Sequence, residues 1–370
     1  MALYPKLILE ALEKVRYPGT GKSIIEMGMV EDDIHIDGNK VSFSILFDKP
    51  NDPFLRSVVK AAETAILTYV GEEVEIKGNI GAISKQMVRP EPAKLLPEVK
   101  NIIAVSSGKG GVGKSTVTAN LAVALTNMGY TVGILDADIY GPSMPKMFCL
   151  EESRPLLENI GGRDLIIPAE NYGVKILSMG FFVDKDSAVV WRGSMASNAL
   201  KQLIADGNWG PLDFFLLDLP PGTSDIHLTL VQTLAITGVV VVSTPQEVAL
   251  ADARKGINMF TGEKINVPVL GLVENMAWFT PAELPENKYY IFGKDGCKNL
   301  AQELKLPLLG QIPIVQSIRE GGDSGKPVAL NAESISGMAF AELAQKVVEA
   351  VDDRNKNKAA TKVVKISPST

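Results

Sequence analysis

One short glycine-rich segment constrains the fold of this chain more than any other feature. Residues 108–116 read Gly-Lys-Gly-Gly-Val-Gly-Lys-Ser-Thr, which is a complete Walker A motif. The segment follows an apolar run, Ile102–Val105, and precedes a helical pattern over Val117–Asn127. Such a loop requires this order of strand, loop and helix, because its backbone N–H groups must converge on phosphate oxygens. The sequence therefore predicts a P-loop nucleotide-binding fold.

Each position of this loop has an expected role. The glycines leave the backbone N–H groups open to the phosphates, since a side chain at Cβ would block their approach. Lys114 is expected to reach the β- and γ-phosphates, Ser115 to ligate Mg²⁺, and Thr116 to bond a phosphate oxygen. ATP and Mg²⁺ are therefore the predicted cofactors. The predicted nucleotide-binding residues of the loop are Gly108, Lys109, Gly110, Gly111, Val112, Gly113, Lys114, Ser115 and Thr116.

Carboxylates end two further apolar runs. Phe214–Asp218 is typical of a Walker B strand, whose terminal Asp218 would hold Mg²⁺ through its water shell. Ile134–Asp138 contains Asp136 and Asp138, one of which could orient the attacking water or the water shell of the metal. The alternative is that both of these aspartates only cap the helix that follows.

Short apolar runs alternate with helical segments after residue 100, and this pattern predicts parallel βαβ units. The runs are apolar on both faces, as expected for strands that helices cover on both sides of a sheet. We predict an α/β fold, a P-loop NTPase with a mainly parallel sheet flanked by helices and preceded by a small α+β domain. The predicted strands are Asn101–Val105, Thr131–Leu135, Phe214–Leu217, Val239–Ser243, Val269–Val273 and Leu308–Ile312.

The chain is predicted to contain two domains, a linker and a tail. Residues 1–80 form the small α+β domain, in the order α-β-β-α-β with Val74–Ile76 as its last strand. A cluster of prolines marks residues 81–100 as a linker. The ATPase domain follows over residues 101–352, and residues 353–370 have the polar, lysine-rich composition of a flexible tail.

Charge and cysteine content limit the partners and the compartment. The 37 Lys and Arg residues and 43 Asp and Glu residues give a net charge of −6, which offers no general attraction to nucleic acid. The apolar stretch Leu234–Val242 is too short to span a bilayer, which takes about 20 residues. Two distant cysteines, Cys149 and Cys297, argue against a disulfide framework. We therefore expect a cytoplasmic protein that binds neither membrane nor nucleic acid.

The motifs together resemble one family of ATPases. Lys109 makes the loop a deviant Walker A, as in the MinD, ParA and arsenite-pump ATPases. The segments Val190–Gly193, Leu217–Asp225 and Val273–Met276 are similar to those of the Mrp/ApbC proteins, which carry iron–sulfur clusters. The opening domain resembles the iron–sulfur assembly domain that is often fused in front of Mrp. The resemblance therefore covers nearly the whole chain.

This resemblance implies a dimer and three residue roles. In the family two subunits sandwich ATP, so Lys109 would reach across to the nucleotide of the other subunit. Asn275 would read the adenine, and Asp138 would be the catalytic switch carboxylate. Lys109, Lys114 and Asp138 are accordingly the expected catalytic residues. Apo iron–sulfur proteins or assembly factors would be the partners of the homodimer.

The chain departs from this family where the cluster ligands are expected. Mrp proteins place Cys-x-x-Cys shortly after the Glu-Asn-Met segment, whereas residues 278–287 of this chain contain no cysteine. A four-iron cluster normally takes four thiolates. Cys149 and Cys297 would supply four across a dimer, or both are ordinary packed cysteines. An iron–sulfur cluster thus stays among the expected ligands, with its protein donors open.

The leading interpretation is an Mg²⁺-dependent ATPase of the Mrp type, which carries iron–sulfur clusters or assists their assembly on apoproteins. The alternative is a spatial-organising ATPase like MinD or ParA, which acts through nucleotide-dependent dimerisation. A MinD-like protein would end in a basic amphipathic helix, but the tail Lys356–Thr370 has no aromatic residue and contains Pro368. A third interpretation, a kinase for a small metabolite, lacks a recognisable substrate site.

Overall fold

Two compact units make up the chain, Met1–Ala93 and Lys94–Thr370. The structure, a computed structural model, describes residues 3–30, 34–48, 52–84, 95–182, 193–281, 283–284 and 286–364. Parts of three predicted features lie outside these residues, namely residues 190–192 of the family-like motif, 85–94 of the linker and 365–370 of the tail.

The small unit packs two helices against a sheet of three strands in its described part. In chain order its elements are α1 (Pro5–Leu12), β1 (His35–Asp37), β2 (Lys40–Phe47), α2 (Leu55–Tyr69) and β3 (Ile80–Ser84). The central strand β2 runs antiparallel to β1 and parallel to β3. Every second residue of β2, from Val41 to Phe47, is buried, as the two-residue period of a strand requires. The observed order α-β-β-α-β matches the predicted one, but its last strand lies at a different place in the chain.

The last strand of this unit is not the predicted Val74–Ile76. Within that segment only Glu75 bridges to the sheet, at Lys40, whereas β3 pairs along its whole length with β2. Val74 and Ile76 are buried, so their alternation reflects the packing of a turn against the core. The β3 sequence Ile-Gly-Ala-Ile-Ser contains glycine and alanine, which are poor strand formers, so its pattern resembles the start of a linker.

Strands and helices alternate along the large unit. Its elements are β4 (Val99–Ser106), α3 (Lys114–Asn127), β5 (Val132–Asp136), α4 (Met144–Met147), β6 (Leu157–Ile160), β7 (Arg163–Ile166), β8 (Ala169–Asn171), β9 (Val174–Ser178), α5 (Gly193–Asp206), β10 (Leu212–Asp218), α6 (Asp225–Val231), β11 (Gly238–Ser243), α7 (Glu247–Thr261), β12 (Val269–Phe279), α8 (Gly296–Leu304), β13 (Leu308–Ile314), α9 (Gln316–Ser324) and α10 (Ile335–Asn357).

A mainly parallel sheet forms the centre of this unit. Its strand order is β13-β12-β11-β4-β10-β5-β9-β8, and the neighbouring pairs are parallel except for β8 with β9. Alternate residues of β4 belong to two different hydrophobic clusters, Ile102 and Ala104 to one and Ile103 and Val105 to the other. Each face of the sheet therefore packs against its own layer of helices. The predicted fold class is confirmed.

All six strands predicted for this unit lie in the sheet, although several extend further than predicted. The edge strand β8 and its neighbour β9 were not predicted. β8 is a short polar segment, Ala-Glu-Asn, with no apolar run to find. In β9 the apolar run is broken by Lys175, whose ammonium donates to the Trp209 carbonyl at 2.8 Å.

The polar tail starts later than residue 353. The helix α10 continues to Asn357, and Arg354 is buried, with its guanidinium donating to the Ala359 carbonyl at 2.8 Å. Further on, the Val364 N–H donates to the Val231 carbonyl at 3.0 Å. A buried arginine has the same sequence signal as an exposed one, so composition alone misplaced this boundary. Within the described residues, no helix has both the length and the apolar character to cross a membrane.

Candidate functional site

The Walker A loop joins β4 to α3 at the carboxyl edge of the sheet. Gly111 and Gly113 have φ angles of +81° and +82°, in the left-handed region that favours glycine. At Gly108, a Cβ would lie 2.2 Å from the carbonyl carbon of Asp252 on α7. The predicted phosphate loop, residues 108–116, therefore needs glycine at these three positions for conformation or for space. The loop lines a cavity of about 250 Å³.

The polar side chains of this loop meet at Asp218, the last residue of β10. Lys114 Nζ lies 2.7 Å from Asp218 Oδ2, and the Ser115 hydroxyl donates to the same oxygen at 2.7 Å. Lys114 also donates to Ser115 Oγ at 3.1 Å. The side chain of Lys114 is 6% exposed and that of Asp218 is fully buried. The structure thus brings together the residues predicted for phosphate and metal binding.

Asp136 lies beside Asp218, because β5 and β10 are neighbours in register. Its Oδ2 accepts from the N–H groups of Ser143 and Met144, at 3.0 and 3.2 Å, and from the Ser178 hydroxyl at 3.0 Å. Burial and the adjacent Asp218 raise the pKa of Asp136 to about 7. For Asp136 the structure shows the capping contacts that the sequence left open, at the start of α4.

Asp138 differs from Asp136 because it lines the phosphate cavity. Its backbone N–H donates to Asp136 Oδ1 at 3.2 Å, and its own Oδ1 accepts from the Gly141 N–H at 3.2 Å. Burial raises the pKa of Asp138, and the nearby Lys114 opposes that rise. Asp136 therefore holds the backbone that presents Asp138 to the cavity.

Asn275 lies on β12 and contacts the phosphate loop. Its Nδ2 donates to the Val112 carbonyl at 2.8 Å and would lie 2.2 Å from a Cβ at Gly113. The next residue, Met276, has a φ of +56°, which is uncommon for a residue other than glycine. The pairing of β12 with β13 is irregular just beyond this point. The backbone of β12 thus departs from a regular strand where it meets the loop.

A second cavity of about 550 Å³ adjoins the phosphate cavity. The two share Gly113, Thr116, Ser143 and Met147, and Asn275 lies in the wall of the larger one. The apolar residues that line it are Met147, Met276, Ile291, Phe292, Pro313, Ile314, Val315 and Ile318. A mostly apolar cavity of this size next to a phosphate loop suits a purine base with its ribose.

Lys109 lines the phosphate cavity as well. Its backbone carbonyl accepts from the Ser107 hydroxyl at 3.1 Å. No carboxylate among the described residues forms an ion pair with its ammonium. Lys109 therefore contributes a cation that the described part of one subunit does not neutralise.

The two cysteines differ in their surroundings. Cys149 is exposed, so the alternative in which both are packed cysteines is wrong for this residue. Cys297 is fully buried near the start of α8, and burial, reinforced by Glu274, raises the pKa of its thiol. The described residues contain no group of three or more His, Cys, Asp or Glu side chains that could hold a metal ion. The expected cluster donors are therefore not assembled within one subunit's described residues.

Glu274 is a buried carboxylate that the sequence patterns did not assign to the site. Its oxygens accept from the Cys297 N–H at 2.6 Å and from Gln311 Nε2 at 2.7 Å. These bonds tie β12 to α8 and β13 next to Asn275. The available signal was a lone carboxylate after the apolar run Val269–Val273, since a charge inside a buried strand requires partners.

His227 closes the turn that follows β10. Its Nδ1 accepts from the Ser224 N–H at 3.1 Å, which caps α6, and Nε2 is buried with no hydrogen-bond partner in the described structure. Burial lowers the pKa of His227 from 6.5 to about 4. The imidazole is therefore neutral in the folded protein at pH 7, and its role here is to hold the turn.

We predict that His227 makes the fold sensitive to acid. The unfolded chain binds a proton on this residue below pH 6.5, whereas the folded chain does so only near pH 4. The free energy of unfolding should therefore decrease as the pH is lowered from 6.5 to 4, by on the order of 3 kcal/mol in total. His227→Asn should flatten this part of the profile in urea unfolding. An NMR titration that gives the folded imidazole a pKa above 6 would contradict the assignment.

Two family descriptions match this chain. Residues 98–348 match the family described as NUBPL iron-transfer P-loop NTPase, and residues 6–77 match the one described as iron-sulfur cluster assembly protein. Among similar proteins, an iron-sulfur cluster carrier protein of Synechocystis is 42% identical over 92% of this chain and 96% of its own length. The iron-sulfur cluster transfer protein NUBPL of Dictyostelium discoideum is 39% identical over 84% of this chain and 94% of its own.

Two solved structures are similar to this chain. A nucleotide-binding protein from Archaeoglobus fulgidus, in complex with ADP, is 36% identical with a TM-score of 0.56, over 66% of this chain and 93% of that one. The cell division ATPase MinD of Pyrococcus furiosus is 24% identical with a TM-score of 0.50, over 67% and 98% of the two chains. The likeness to MinD shows the fold alone.

Proposed function

The chain belongs to the family of NUBPL iron-transfer P-loop NTPases, and we propose that it is an Mg²⁺-dependent ATPase that carries iron–sulfur clusters or assists their assembly. The observation that carries the ATPase half is the contact of Lys114 and Ser115 with the buried Asp218. In a loaded site, Lys114 would neutralise the β- and γ-phosphates, while Ser115 and Asp218 would hold Mg²⁺ and its water shell.

The rest of the phosphate loop, Asn275 and Asp138 complete the proposed nucleotide site. The loop glycines with Lys109, Val112 and Thr116 would bind the phosphates through backbone N–H groups and the Thr116 hydroxyl. Asn275 would contact the base in the apolar cavity, since it lies in the cavity wall. Asp138 would orient the attacking water, because it lines the phosphate cavity and Asp136 does not.

Dimerisation is part of this proposal. Lys109 lines the phosphate cavity, and its ammonium has no ion-pair partner among the described residues, so it would be available to the nucleotide of a second subunit facing the cavity. A second cation on the transferred phosphate would stabilise the charge that develops in the transition state. The partners of the dimer would be apo iron–sulfur proteins or assembly factors. We propose that the protein acts in the cytoplasm. A role like that of MinD is not favoured by any contact in the described structure.

The accessible cysteine thiols limit how this protein could bind an iron–sulfur cluster. Names of relatives at 42% and 39% identity point to cluster carriage or transfer. In this chain, residues 278–287 contain no cysteine, and Cys297 is buried with its thiol kept protonated by its surroundings. Cys149 is then the accessible thiol of each subunit. Two subunits would offer two thiolates, so a bound cluster would need further donors from its client or from solution.

We predict that Lys114→Ala lowers ATP hydrolysis by about 10²–10³-fold, because it removes a cation from the developing phosphate charge. The change also leaves the buried Asp218 without its cationic partner, so the thermal unfolding midpoint should fall. The double variant Lys114→Ala/Asp218→Asn should regain part of the stability but none of the activity. Lys346→Ala, an exposed lysine on α10, is the control. Full hydrolysis by the folded Lys114→Ala variant would contradict the assigned role.

Lys109→Ala should reduce the hydrolysis rate about tenfold or more while nucleotide affinity changes little. The reason is that Lys109 acts on the nucleotide across the dimer, and light scattering with ATP should therefore show association. Lys109→Arg, which keeps the cation, should retain more activity than Lys109→Ala. An ATP-bound monomer with the same specific activity at dilute and high concentration would rule out this arrangement.

Anaerobic reconstitution with iron and sulfide should load less than one four-iron cluster per dimer, because two of the four thiolates are missing. Cys149→Ser should abolish the bound iron, and Cys297→Ser should not, since only the first thiol is exposed. Iron quantification and visible absorption give the readout. A stable, stoichiometric four-iron cluster in the Cys149→Ser/Cys297→Ser double variant would overturn this part of the proposal.

A further inference from the structure

We propose that Thr118 is a positioning residue that holds Oδ1 of Asp218 while Oδ2 changes its partners as Mg²⁺–nucleotide binds. This inference rests on the proposed ATPase function. Thr118 lies on α3, one turn beyond Lys114, and is fully buried. Its Oγ1 lies 2.7 Å from Asp218 Oδ1 and 3.0 Å from the Lys114 carbonyl.

The hydroxyl of Thr118 has one proton and two acceptors within reach. A hydrogen bond to an ionised acceptor is shorter and about twice as strong as one between neutral groups. The distances follow this order, since the carboxylate oxygen is closer than the carbonyl oxygen. Thr118 therefore donates mainly to Asp218, and the Lys114 carbonyl is the weaker alternative acceptor.

Both oxygens of Asp218 are occupied in the structure, but by different kinds of partner. Oδ2 contacts Lys114 Nζ and Ser115 Oγ, which are the two groups that a nucleotide and its metal would recruit. Oδ1 contacts Thr118, which lines neither the phosphate cavity nor the apolar cavity. Binding of Mg²⁺–nucleotide would therefore change the partners of Oδ2 and leave the contact at Oδ1 in place.

Without Thr118, the buried carboxylate would lose its fixed orientation during that exchange. Oδ1 would become a buried charged oxygen without a donor, which is costly, and rotation of the carboxylate could satisfy it only by taking Oδ2 out of position. Mg²⁺ demands near-ideal octahedral geometry of its ligands and its water shell. Loss of the Thr118 hydroxyl should therefore affect the magnesium dependence of nucleotide binding more than it affects the binding of metal-free nucleotide.

The same helix provides a matched comparison. Thr126 Oγ1 donates to the carbonyl four residues earlier, Ala122, at 3.0 Å, as Thr118 can donate to Lys114. The Thr126 hydroxyl makes no further polar contact in the described structure. Thr126→Val therefore removes a hydroxyl that makes the same helix contact, from a half-buried position of the same helix, without touching Asp218.

The test compares four proteins, namely wild type, Thr118→Val, Thr118→Ser and Thr126→Val. Binding of a fluorescent ADP analogue is titrated against Mg²⁺, and again in EDTA, with thermal unfolding as the check of the fold. We expect Thr118→Val to raise the Mg²⁺ concentration at half-saturation about tenfold, with less than a twofold change of affinity in EDTA. Thr118→Ser should restore the magnesium dependence, and Thr126→Val should match wild type.

Three results would overturn the inference. They are an unchanged magnesium dependence in Thr118→Val, an equal loss of affinity with and without Mg²⁺, and a failure of Thr118→Ser to restore binding. If wild type itself binds no nucleotide, both this inference and the proposed function fail. A wild type that binds with clear Mg²⁺ dependence, beside an unaltered Thr118→Val, rejects the role of Thr118 alone.

Discussion

A buried ion pair between Lys114 and Asp218 organises the rest of the nucleotide site. The two charges lie 2.7 Å apart with almost no exposure, and removing one partner of such a pair typically costs about 3–5 kcal/mol. The pair can form only because β10 lies directly beside β4 in the parallel sheet, so that the end of one strand faces the loop that follows the other. Sheet order, loop glycines and site chemistry are thus parts of one arrangement.

The same pair means that loading the site is an exchange of partners. Phosphate would compete with Asp218 for Lys114, and Mg²⁺ would compete with Ser115 and Lys114 for Asp218. The ligand can drive this exchange only through its higher affinity for the rearranged site. Two neighbouring contacts involve neither Lys114 nor Asp218: Asp136 accepts from the Ser143 N–H, and Asn275 donates to the loop carbonyl of Val112.

The sequence predicted correctly those features that depend on a local pattern of residues. The Walker A spacing located the loop, and buried apolar runs located six strands of the sheet. It failed where a residue's role depends on distant neighbours. The strand Ile80–Ser84 is recognisable only by its pairing with Lys40–Phe47, and burial of Arg354 depends on the chain beyond it. Thr118 looks like any helical threonine until the sheet brings Asp218 to it.

Lys114 should leave Asp218 when nucleotide binds. A crystal structure of the full chain with Mg²⁺ and a non-hydrolysable ATP analogue would show this exchange of partners. We expect Lys114 Nζ within hydrogen-bond distance of the β- or γ-phosphate oxygens and beyond ion-pair distance of Asp218 Oδ2, with Ser115 Oγ on the metal. An occupied site in which the 2.7 Å contact between Lys114 and Asp218 persists unchanged would contradict it.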